Sequence, residues 1–99
     1  MKKKALFFTD KNNKNCEEIQ RLVENRIKAG DNFKIIDVNG KNKNIKNLQV
    51  KKEAVPQFAM FQDGRHIFST TAVNTEKELN DFYNYDVFLQ EFFNRTNNE

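Results

Sequence analysis

The chain has 99 residues, with ten Phe, two Tyr, no Trp and one Cys, and its 17 basic against 14 acidic side chains leave a formal charge of +3. That length supports one hydrophobic core and the Phe content is enough to fill it, so a single domain over 1–99 is expected, and lone Cys16 excludes an internal disulfide. The basic residues are mostly Lys, interleaved with acids except at 2–4 and 41–52, which is not the Arg-rich, aromatic pattern of a nucleic-acid reader, and no such partner is expected.

The apolar run at 5–8 is far shorter than a secretory h-region of about seven to fifteen residues, and nothing approaches the roughly 18 residues of a membrane span. With a single thiol, the chain reads as cytoplasmic and without membrane association.

Residues 5–8, bounded by Lys and by Thr9-Asp10-Lys11-Asn12-Asn13, suit a buried parallel strand. Ile19, Leu22, Val23 and Ile27 then recur at helical spacing, with Glu17, Glu18, Gln20, Arg21, Glu24 and Lys28 on the other face. Asn12, Asn13 and Asn15 supply the cap, Glu17 and Glu18 suit the positive end of the helix dipole, and Gly30 ends the helix. A second strand follows at 33–38, closed by Asn39-Gly40.

The segment 41–54 carries Ile45, Leu48 and Val50 among Lys41, Lys43, Lys46, Lys51 and Lys52, and its spacing predicts a short helix. Its lysines read as a solvated face, or more sharply as a dock for an anionic partner. Val55-Pro56 leads into a third strand, and Gln62-Asp63-Gly64-Arg65 is a hairpin turn into a fourth at 66–70. Thr75 with Glu78 forms a capping box for a helix that turns Leu79, Phe82 and Tyr83 inward.

The apolar phase breaks at 84–86. Asp86 is placed to cap a further helical stretch carrying Phe88, Leu89, Phe92 and Phe93, which either covers the core or forms an oligomer or partner surface. The order is β-α-β-α-β-β-α, with a core at 3–83 and a C-terminal helical extension at 84–95. Strands one and two are expected to be parallel through a right-handed crossover, and the hairpin adds an antiparallel edge, giving an α/β fold with a four-stranded mixed sheet flanked by helices.

The stretch Phe7-Phe8-Thr9-Asp10-Lys11-Asn12-Asn13-Lys14-Asn15-Cys16, its helix and strand, and then Val55-Pro56 before a strand and an Asp-Gly hairpin resemble the thioredoxin and glutaredoxin superfamily over nearly all of 3–83. The resemblance implies a thioredoxin-like fold and a cis bond before Pro56, beside the active-site turn. In the family, positions three, six and seven after the second cysteine of Cys-x-x-Cys face the core. From Cys16 these are Ile19, Leu22 and Val23, so Cys16 takes the second, resolving position and Asn13 replaces the first cysteine. The family also binds glutathione through the Val-Pro backbone, here Val55 and Pro56, and through basic residues near the turn, here Lys11 or Lys14. The Gly-Gly-x-x-Asp part is replaced, with Phe68-Ser69-Thr70-Thr71 after the hairpin.

Asn13 cannot attack a disulfide but is a good helix cap. Two functional readings follow from the resemblance. In the first, the chain has lost the nucleophilic cysteine and acts as a binding or scaffolding module for a protein partner, with Cys16 as packing. In the second, Cys16 is an accessible thiol, and the chain is a monothiol disulfide oxidoreductase or redox sensor working with glutathione or a protein disulfide. His66 has no partner at metal spacing and reads as structural or solvent-facing, and no metal ligand is assigned.

Overall fold

The computed structural model describes residues 2–39 and 54–87, and the backbone alone at 44–45 and 48–49. The central strand is β1 (Lys3–Thr9), whose Ala5, Leu6, Phe7 and Phe8 are all buried. A strand covered on both faces has no solvent side, which is why its sequence is a continuous apolar run and not an alternation. It pairs in parallel with β2 (Phe33–Asp37), from Ala5 opposite Phe33 to Thr9 opposite Asp37. The crossover between them is α1 (Lys14–Lys28).

Antiparallel to β1 on its other side runs β5 (Gln57–Gln62), joined by a tight turn to β6 (Arg65–Thr70), and the sheet order is β2-β1-β5-β6. Asp63 at φ 52° and Gly64 at φ 84° make the turn, the paired positive angles that a two-residue hairpin needs to match strand twist. A register shift between Met60 and Phe61 sets Met60 opposite Phe68 but Phe61 opposite His66, so the edge strand carries a bulge. The mixed four-stranded sheet flanked by helices agrees with the expected architecture.

Alternation along the strands creates two apolar layers. Ala5, Phe7, Phe33, Phe58 and Met60 meet Ile19 and Val23 of α1 and Leu79 and Phe82 of α2 (Glu76–Tyr83). Phe58 is the hub, with ring centroids 4.8 Å from Phe7 and 5.2 Å from Phe82. Leu6, Phe8, Ile36, Val38, Val55, Ala59 and Phe61 form the second cluster, and Cys16 belongs to it.

Both helices are bounded as the sequence predicts. Asn13 accepts from Asn15 N at 2.9 Å and Thr75 accepts from Glu78 N at 3.1 Å. The Glu78 carboxylate reaches back to Asn74 N at 3.0 Å, one residue earlier than in the usual capping box. Gly30 at φ 102° lets its own N–H reach Ile27 O and that of Asp31 reach Arg26 O, so the last carbonyls of α1 are satisfied.

Three expectations change. The backbone at 44–45 pairs antiparallel with 48–49 as β3 (Asn44–Ile45) and β4 (Leu48–Gln49), with Ile45 opposite Leu48. An i, i+3 apolar pair marks one face of a helix, but it is equally the pair that a tight hairpin sets across its ladder. The lysines at 41, 43, 46, 51 and 52 lie outside the described residues, as do Phe88, Leu89, Phe92 and Phe93. Ile27, in the last turn of α1, is 39% exposed instead of inward. Asp86 does not precede a helix as a cap. It is itself helical, within a stretch that starts at 85 and reaches the last described residue, 87, and its carboxylate takes Lys3 Nζ at 3.3 Å.

Candidate functional site

The turn between β1 and α1 is built from polar groups that satisfy one another. Thr9 and Asp10 close β1 and are buried. Asp10 Oδ1 accepts from Asn12 N at 3.0 Å and from Asn39 Nδ2 at 2.9 Å, binding this turn to the end of β2. Thr9 Oγ1 donates to Gln20 Oε1 at 3.3 Å, and Asn13 N donates to Asp10 O at 2.9 Å. The chain therefore arrives at α1 in one geometry, with the Asn13 side chain already engaged as a cap.

One turn into the helix, Cys16 is 1% exposed, inside the cluster of Phe8, Val38 and Val55. Its apolar neighbours explain why a helix start that is otherwise charged holds a thiol there, since a small sulfur-bearing side chain packs as a hydrophobe. A groove of about 430 Å³ runs along α1, lined by Asp10, Lys11, Asn13, Cys16, Glu17, Gln20, Arg21 and Glu24. Its acids outnumber its bases. Lys11 is mostly solvated and lies 4.0 Å from Asp37, so its charge has an acidic neighbour already.

Of the residues that the resemblance implies, the groove brings together Lys11, Asn13 and Cys16. Lys14 is exposed at the first turn of α1. Val55 is buried with Cys16 in one cluster, and Pro56 is half-buried just before β5 with a cis bond to Val55, the isomer that the resemblance implies. A glutathione carboxylate in this groove would meet Lys11 and Arg21, but also Asp10, Glu17 and Glu24. His66 is exposed on β6, with Nε2 at 2.8 Å from Ser69 Oγ and its ring 5.3 Å from that of Phe61.

A second hollow was not visible in the sequence. Between β6 and α2 lies a groove of about 710 Å³, walled by Ile67, Phe68, Val73, Phe82 and Tyr85, with Glu78 and Asp81 on its helix side. Phe68 meets Phe82 and Tyr85 edge-on at 5.5 and 5.4 Å between centroids. Tyr85 is held by its hydroxyl on Gln62, and burial, then Asp86 and Asp63, push that hydroxyl above its ordinary pKa. The one hint was Ile67 beside Phe68, two large apolar residues at successive positions of an edge strand, and the bulge at Ile67 breaks the alternation there so that both line the groove.

The chain on either side of Tyr85 is tied to β1. Lys3 Nζ donates to Tyr83 O at 2.9 Å, pairs with Asp86 and lies 4.7 Å from the Tyr83 ring centroid. Burial acts to raise the Asp86 pKa, but the hydrogen bond and charge of Lys3, with the backbone N–H groups of Asp86 and Val87, prevail and hold it below the ordinary 3.8. Among the described residues no helix is long and apolar enough to cross a membrane. Neither protein-family profiles nor curated protein sequences match this chain.

Proposed function

We propose that the chain is a thioredoxin- or glutaredoxin-like module that has lost dithiol chemistry and acts by binding a protein partner. The observation that carries this reading is the state of Cys16, 1% exposed and packed against Phe8, Val38 and Val55. A buried thiol in apolar surroundings meets disulfides only when the structure opens. Asn13, at the position of the absent nucleophile, is spent on the backbone N–H of Asn15. The strand order, with β1 parallel to β2 and antiparallel to β5, supports the family reading.

The monothiol reading draws on a different observation, that Cys16 borders the groove beside Lys11 and Arg21. Alkylation separates the two. Under the binding reading, the native thiol reacts about 100-fold or more slowly than in denaturant, because reaction awaits local opening. Fast native alkylation, together with disulfide reduction that Cys16→Ser abolishes, would establish the oxidoreductase instead. The family assignment has its own test in Asn13→Cys, which restores a Cys-x-x-Cys and is expected to give a reversible intramolecular disulfide with Cys16. A variant that stays fully reduced under oxidising buffer would remove that assignment.

A further inference from the structure

We propose that the groove between β6 and α2 docks a short extended peptide segment combining apolar side chains with Lys or Arg, laid along the outer edge of β6. The inference rests on the reading that the chain works by binding, and it names the surface and the chemistry of the partner.

Among the described residues β6 pairs only with β5, and it is last in the sheet order. The outward N–H and C=O groups of such a strand are a template for an added strand. The bulge opposite Phe61 interrupts regular pairing near His66, leaving Phe68, Ser69 and Thr70 as the regular stretch and limiting the added strand to a few residues. Beside that stretch lies the groove, at about 710 Å³ within the usual range for a binding cleft. Ile67 leaves 47% of its surface in water on the same strand.

The walls are preformed. Phe68 holds both Phe82 and Tyr85 by ring contacts, and Lys3 ties the chain at Tyr83 and Asp86. A groove that keeps its shape without a ligand costs little ordering when one arrives.

Charge selects the occupant. The charged residues lining the groove are Glu78 and Asp81, both acidic. Glu78 is fixed in place by Asn74 N and the Thr75 hydroxyl, at 3.0 and 3.1 Å. Asp81 pairs with Lys77 at 3.2 Å across one turn, and the Lys77 side chain is 87% exposed. Pairs of this kind contribute little, so a partner cation replaces Lys77 at small cost. An acidic rim along an apolar slot favours apolar side chains followed by a cation and disfavours an acidic segment.

The test is an amide NMR titration of the full chain with a blocked hexapeptide of alternating Lys and Leu, and with its counterpart carrying Glu for Lys. Saturable shifts centred on 67–73 and 78–85 are expected with the Lys peptide. Asp81→Lys, which the exposed site tolerates, is expected to weaken them about tenfold. Absence of saturation, shifts centred on 10–24, or equal binding of both peptides would overturn the proposal. So would either competing occupant: a second copy if dilution of the protein alone moves the same amides, the chain's own C-terminal aromatics if Phe92→Asp alone does. Cys16-dependent reductase activity overturns the binding reading itself, whereas loss of the peptide shifts overturns only the groove.

Discussion

At the start of α1, Asn13 caps Asn15 N, Asp10 takes Asn12 and Asn39, and Cys16 is packed out of water. Beside β6, by contrast, Phe68 touches Phe82 and Tyr85, and an apolar slot stays open. The first region has spent its turn and cap groups on its own chain, while the second keeps apolar surface in water that a ligand can cover. Binding draws its free energy from surface and donors not yet satisfied, so the region that resembles an active site is the poorer docking place of the two.

Three changes break or sharpen that contrast. Phe82→Ala strikes the open region hardest, because Phe82 both lines the groove and packs on Phe58 in the core. A loss of about 3–5 kcal/mol is expected in urea unfolding. A loss below about 1 kcal/mol would show that the groove wall is not continuous with the core.

Asn13→Ala tests the closed region at intermediate size. If Asn13 serves as a cap, the variant loses about 1 kcal/mol and Asn13→Ser recovers most of it, as thermal unfolding would show. Equal losses for both variants would mean that Asn13 matters for something other than accepting from Asn15 N.

The smallest effect is electrostatic. The Asp86 pKa is lowered in the folded state, so its contribution to stability is present above its ordinary 3.8 and is lost as pH falls through the folded value. Wild type and Asp86→Asn are therefore expected to differ in urea midpoint at pH 6 and to converge toward pH 2, with Lys3→Gln narrowing the difference to the part that the backbone N–H groups of Asp86 and Val87 supply. A gap that stays constant over that range would assign the effect of Asp86 to packing.

Much of the fold was legible because its causes are local. The run at 5–8 reads as a strand buried on both faces, Asp63-Gly64 as a two-residue turn, and Thr75 with Glu78 as a helix start, each from a few neighbouring residues. The segment around Ile45 and Leu48 was misread because one spacing serves a helix face and a hairpin pair alike. The site was legible only as residue types. Lys11, Asn13 and Cys16 were named and do share a groove, but whether the thiol faced water depended on Val38 and Val55, far along the chain.

By itself, then, the sequence determined the main strands and helices, their caps and the hairpin, since propensity, capping and turn geometry act over a few residues. Tertiary structure alone decided what those elements enclose. It buried Cys16, left Ile27 in water, and brought Lys3 to Asp86 across 83 positions. It also assembled an apolar groove from β6, the turn after it and α2, none of which reads as a binding site alone. Burial is a sum over neighbours in space, and those neighbours exist only once the sheet order is set.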